Sequence, residues 1–228
     1  MIDPNKIVNQ LMQGGAGGAA GGGIVDTLMK SGVGGGLAGG LLSGAVAGAI
    51  AGGKGGKMGK KALKLGGMAL VAGVAWKAYQ QYQQQKSGRP AAATGWPEVL
   101  PAPVQQAAAD PGHGLAVLRG MIAAAKSDGA IDAAEQQKIF AQLGQVSLSA
   151  EEKAFVLEEL ARPLDLDAVV ASARDPAVAA EVYAASRLVI AEASPAEKAY
   201  LSLLAARLGL EPGLVSELDR ATAEVTAA

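Results

Sequence analysis

From Leu115 to the C-terminus, apolar residues recur three and four positions apart. Leu115, Leu118, Ile122 and Ala125 share one helical face, as do Leu201, Leu204, Ala205 and Leu208. Helix starts are written into the polar positions between these runs. Asp132 with Glu135, Ser149 with Glu152 and Ser194 with Glu197 have capping-box spacing, the last with Pro195 at the first helical position. Asp175-Pro176 and Glu211-Pro212 mark two further starts. The pattern predicts about seven helices, near 115–127, 133–144, 150–161, 165–173, 176–193, 195–208 and 212–225, and no strand. Their inward faces give a core of Leu118, Ile122, Ile131, Ile139, Phe140, Leu143, Phe155, Leu157, Leu160, Val169, Val182, Leu188, Val189, Leu201, Leu204, Leu208 and Leu214.

The N-terminal part follows another rule. Glycines stand at Gly32, Gly36, Gly40, Gly44, Gly48, Gly52 and Gly56, every fourth position without a gap, and Gly14, Gly18 and Gly22 repeat the spacing upstream. Ser31 to Gly53 is 23 residues without a charge, ten of them glycine. Ten glycines oppose a helix in water by roughly 8 to 10 kcal/mol relative to alanine. Lipid and close helix packing reverse that balance, because a smooth glycine seam lets two backbones approach, as in membrane GxxxG pairs. A four-residue repeat exceeds 3.6 and predicts a right-handed crossing. As a helix the stretch would be about 34 Å long, enough for a hydrocarbon core of about 30 Å.

Lys54, Lys57, Lys60, Lys61 and Lys64 follow at once, which by the positive-inside rule sets them on the cytoplasmic side against anionic lipid. A second apolar stretch, Leu65 to Trp76, is too short to span alone. Two arrangements are open for it. It is an interfacial helix with Trp76, Tyr79 and Tyr82 at headgroup level, which leaves the C-terminal half in the cytoplasm. Alternatively it is the return limb of a hairpin over about 62–82, which exports that half. The N-terminus MIDPNKIVNQLMQGG lacks the compact apolar run of a removable signal, so the membrane segment is expected to stay as an anchor.

Charge sharpens this division. Residues 1–90 hold 24 of the 32 glycines and ten basic against two acidic residues, while residues 91–228 hold ten basic against 19 acidic. The net −1 is thus a cancellation between a basic half suited to an anionic surface and an acidic half suited to a protein partner. The basic cluster KGGKMGKKALK has no aromatic residue for base stacking, so no nucleic acid is expected. Residues 87–114 contain five of the ten prolines and read as an extended linker. The expected organisation is all-α: a flexible Gly-rich N-terminus over 1–30, a membrane-associated glycine-zipper segment over 31–86, a Pro/Ala-rich linker over 87–114, and a compact helical bundle over 115–228.

Candidate chemistry is sparse. The chain has no cysteine and a single histidine, His113, with no second histidine for a zinc site. SDGAIDAAE, Ser127 to Glu135, matches half of a calcium loop. With Gly129 at loop position 6, Asp128, Asp132 and Glu135 fall at positions 5, 9 and 12, but Ala124 and Lys126 occupy positions 1 and 3, where oxygen ligands belong. The simpler reading is a left-handed glycine at 129 ending one helix and a capping box starting the next. The alternative is a divalent-metal or oxyanion-responsive site on Asp128, Asp132 and Glu135.

MIAAAKSDGAIDAAEQQKIF and AASRLVIAEASPAEKAYLSLLAARLGL resemble the TerB-like helical domain. With the glycine ladder and LGGMALVAGVAWKAYQQYQ, the whole arrangement is similar to the uncharacterised bacterial inner-membrane family that includes YebE. The resemblance implies an all-helical domain related by name to tellurite-resistance proteins, some of whose relatives bind metal through acidic residues; it implies no reaction. Here the second acidic position reads AEASPAE, with Glu192 and Ser194, fewer carboxylates than a paired site holds. The expected function is non-enzymatic: an inner-membrane interaction module, homo-oligomeric through its ladder, with a cytoplasmic acidic domain that recruits a protein partner in an envelope or tellurite-type stress response.

Overall fold

Capping residues set where the helices begin. Asp110 accepts from Gly112 N at 2.6 Å and is followed by Pro111; Asp165 accepts from Ala168 N at 2.9 Å; Asp175 accepts from both Ala177 N and Val178 N, ahead of Pro176. Ser149 with Glu152 and Ser194 with Glu197 form reciprocal capping boxes. Each cap satisfies an orphan N–H and contributes about 1 kcal/mol.

The computed structural model describes residues 2–13, 67–87, 102–129, 149–173, 175–190 and 193–226. Among these residues the regular structure is entirely helical: α1 Pro4–Gln13, α2 Gly67–Lys86, α3 Ala102–Ala109, α4 Pro111–Ala125, α5 Ala150–Ala161, α6 Leu166–Ser172, α7 Pro176–Val189, α8 Pro195–Arg207 and α9 Pro212–Thr226. Helices α4 to α9 lie close to six of the predicted spans, and the span predicted over 133–144 falls outside the described residues. So do Ile131, Ile139, Phe140 and Leu143.

Helices α4 and α7 form the central pair, and α2 and α9 the other large contact. The close approach of α4 to α7 depends on Gly120, where a Cβ would sit 2.9 Å from Val182 Cγ1; Ser186 Oγ donates to the Gly120 carbonyl at 3.2 Å. Leu118, Val182, Leu204 and Leu218 are fully enclosed, with Ile122, Leu160, Val169, Val189, Leu201 and Leu214 buried beside them. Phe155, Leu157, Leu188 and Leu208 line this core half-buried.

The packing unit is larger than the C-terminal pattern indicates. Helices α1, α2 and α3 come from the stretches expected to be flexible, membrane-associated and linker, and each packs against helices of the common body. The apolar stretch Leu65 to Trp76 is described from Gly67. From Gly67 on, it is the first half of α2, and Val71, Val74 and Ala78 are fully enclosed in the core. Trp76 packs against the contact of Ala72 with Val104 of α3, and Tyr82 donates to Glu211 just ahead of α9. The physical reason is that α9 offers a matching apolar face in Leu214, Leu218 and Ala221. No helix among the described residues is long and apolar enough to cross a membrane.

One turn departs from expectation. Gly129 is not left-handed; α4 ends at Lys126, whose N–H bonds back to Ala123 and Ala124. The left-handed glycine is Gly209, with φ of 67°, where Leu210 N donates to Ala205 O and Gly209 N to Ala206 O in a Schellman motif closing α8. Gly209→Ala is expected to destabilise the protein by about 1–2 kcal/mol, whereas Gly129→Ala, in open space, is expected to stay within about 0.5 kcal/mol. Urea denaturation followed by circular dichroism compares the two, and equal losses would contradict this assignment of the turns.

Candidate functional site

The polar residues of α1 converge on one seat. Asn5 Nδ2 donates to the Ala109 carbonyl at the end of α3 at 2.8 Å, and Lys6 Nζ donates to Glu152 Oε2 at 2.8 Å, within the capping box of α5. Asn9 Oδ1 accepts from Met68 N at 2.9 Å and so caps the start of α2 from 59 residues away in sequence. Ile7 and Val8 are fully buried and Leu11 nearly so. Two glycines admit this helix. A Cβ on Gly67 would lie 2.8 Å from Met12 Cβ, and one on Gly114 would lie 2.0 Å from Asn5 Oδ1 and 2.9 Å from Asn5 N. Thus the N-terminal helix and the helix that follows the glycine-rich stretch are locked together on α4.

Beside this seat lies the single histidine. Asp110 and Asp175 cap α4 and α7, and His113 sits between those helix starts. Its Nδ1 is 3.0 Å from Glu181 Oε2, and its Nε2 is 4.0 Å from Asp175 Oδ2. Burial pushes the Glu181 carboxyl above its ordinary value, and His113 opposes that rise. The group links α4 to α7, with one imidazole placed beside carboxylates near two helix N-termini. A third polar seam joins α2 to α9, where Lys77 pairs with Glu224, Gln85 donates to Glu217, and Arg220 bonds Gln81 and Glu217.

Of the candidate metal residues, Asp128 lies in the turn after α4, while Asp132 and Glu135 fall outside the described residues. Among the described residues no group of three or more His, Asp or Glu side chains is placed to hold a metal. Lys126, at loop position 3 of the calcium comparison, sends Nζ away to the carbonyls of Glu159 and Arg162, capping the end of α5; burial lowers its pKa. The ladder glycines Gly32, Gly36, Gly40, Gly44, Gly48 and Gly52 and the lysines Lys54, Lys57, Lys60, Lys61 and Lys64 also fall outside the described residues. Sequence reasoning missed the seat of α1. Its one signal was Ile7, Val8 and Leu11 at helical spacing after the Asp3-Pro4 start.

The Lys6–Glu152 link carries a pH signature. The Lys6 ammonium, then the Ser149 amide, hold the Glu152 carboxyl below its ordinary value. A depressed carboxylate stabilises the fold above its unfolded pKa of about 4.3, and that contribution disappears as pH falls through the folded value. Lys6→Gln is expected to cost about 0.5–1 kcal/mol at pH 7 and progressively less as pH falls below the ordinary carboxylate range. Urea midpoints measured across that range check the convergence; a loss independent of pH would remove the ion pair as its cause.

A family model described as "Protein of unknown function (DUF533)" matches residues 32–222, a span running from the first ladder glycine through most of α9. Neither a curated protein nor a solved structure matches the chain.

Proposed function

We propose a function for this chain, which belongs to the DUF533 family, as a membrane-anchored, non-enzymatic interaction module. The ladder from Gly32 to Gly52 associates in the bilayer with the ladder of a second copy. Lys54, Lys57, Lys60, Lys61 and Lys64 hold anionic headgroups at the cytoplasmic face of a bacterial inner membrane. The acidic helical body then stands in the cytoplasm and recruits a protein partner. The finer resemblance to the TerB-like domain supports assigning that recruitment to an envelope or tellurite-type stress response.

The observation that carries this reading is the destination of α2. Its apolar residues Val71, Val74 and Ala78 are enclosed by protein, which supports assigning the membrane contact to another stretch. Ser31 to Gly53 is then the uncharged run of membrane length, directly followed by the five lysines. The ion pairs of the body support a recruiting rather than a catalytic role, because Glu152, Glu159, Glu181 and Glu217 each hold a basic or histidine side chain within the fold.

Alkaline carbonate washing of membranes tests the anchor. The full chain is expected to stay in the pellet, and a variant lacking residues 31–53 to move to the soluble fraction. Complete release of the full chain would overturn the proposal.

A further inference from the structure

Helix α1 is ten residues long, shorter than isolated helices that hold in water. Its order comes from the seat it occupies. Pro4, Ile7, Val8 and Leu11 are its buried residues, the i, i+3, i+4, i+7 set by which an amphipathic helix is read in a groove. The floor of that groove is glycine. A Cβ on Gly114 of α4 would lie 2.9 Å from Asn5 N, and one on Gly67 of α2 would lie 3.1 Å from the Val8 carbonyl oxygen, so each glycine admits the backbone of a helix. The rim is polar. Glu152, its side chain 5% exposed, takes the Lys6 ammonium, and Met68 N donates to Asn9 Oδ1.

Helix α1 nevertheless fills the seat imperfectly. Asn5 Nδ2 donates to the Ala109 carbonyl, but Asn5 Oδ1 is buried without a hydrogen-bond partner. An acceptor shut away from water with no donor offsets what a neighbouring hydrogen bond contributes, so a helix with the same anchors and no such orphan displaces α1. We infer that the seat of α1 is an exchange groove through which the body takes its protein partner, and that the partner presents an amphipathic helix there. Its chemistry follows from the groove. Apolar anchors stand at i, i+3, i+4 and i+7; a basic side chain two residues after the first anchor meets Glu152, as Lys6 does, and an amide side chain five residues after it meets Met68 N, as Asn9 does. Helix α1 is then the resident competitor for this site. The inference rests on the recruiting role proposed above and locates it, and it needs neither the glycine ladder nor the lysine cluster.

Trans-complementation of the full chain tests the groove. Ile7→Ala with Leu11→Ala removes two anchors from the resident helix, and a synthetic peptide of residues 2–13 is the probe. Saturable recovery of the melting temperature lost by the double variant is expected, or recovery of helical circular dichroism if that variant is unfolded by itself. A Val8→Asp peptide is expected to recover neither. No recovery at millimolar peptide overturns the exchange groove. Fluorescence anisotropy of the labelled peptide gives a second measure. Lys6→Gln, which loosens α1 at an exposed position, is expected to raise the apparent affinity for the peptide roughly two- to five-fold over wild type. Gly114→Ala, added to the double variant, fills the floor and is expected to lower affinity about ten-fold or more. Affinity unmoved by both changes overturns the proposal. The chain has no cysteine, so two differently tagged copies, one with Met12→Cys and one with Gly67→Cys, separate the occupants. A disulfide joining the two tags assigns the groove to a second copy and overturns exchange with another protein; no such product is expected. Release of the full chain by carbonate, by contrast, removes the anchor and leaves the peptide result untouched.

Discussion

The seating of α1 on α2 and α4 is the constraint on which the rest of the molecule depends. It closes a 53-residue excursion of chain onto a point where Asn9 caps the first turn of α2. Closing so long a loop is less costly than it looks, because each doubling of length adds only about 0.6 kcal/mol. Burying Ile7, Val8 and Leu11 contributes about 1.5–3 kcal/mol per side chain, which outweighs that increment. The glycine-rich stretch is thereby held at both ends by one rigid body, whatever surface it meets between them.

The body itself is joined by polar links laid across apolar contacts. Lys6 to Glu152 ties α1 to α5, His113 to Glu181 ties α4 to α7, Arg119 to Glu159 ties α4 to α5, and Lys77 to Glu224 ties α2 to α9. Such pairs add little net stability, since removing charges from water offsets most of their attraction. Their value lies in register. Each buried carboxylate would be left unpaired if its helix slid by one turn, so the apolar faces meet in one alignment. Glu152 and Glu181 show the two balances: in the first the ammonium and amide dominate and hold the carboxyl low, in the second burial dominates and raises it.

The two parts of the chain differ in composition, one side-chain-poor and basic, the other acidic. On the reading proposed above, the side-chain-poor, basic stretch gains order only where backbones touch away from water and cations meet phosphate. An acidic, alanine-rich helical body gains it by burying alternate turns against itself. Membership in a family whose model runs from Gly32 to Thr222 joins both parts in one unit.

Short-range signals determined much of this protein from sequence alone. Caps such as Ser149 with Glu152, Asp175 before Pro176 and Ser194 with Glu197 act within four residues, so α5, α7 and α8 begin where the chain says they must. The core positions Leu118, Val182 and Leu204 likewise follow from helical spacing. Tertiary structure alone decided the fate of α2, because a 12-residue apolar run leaves water equally well for lipid or for another helix, and only the facing residues of α9 distinguish the two. It also decided that Asn9 would cap Met68, and it showed that Gly209, not Gly129, turns left-handed. The cap on Met68 rests on residues distant in sequence, which no local pattern encodes, whereas the Gly209 turn closes through bonds within Ala205–Leu210 and shows only which of two glycine-marked helix ends turns left-handed.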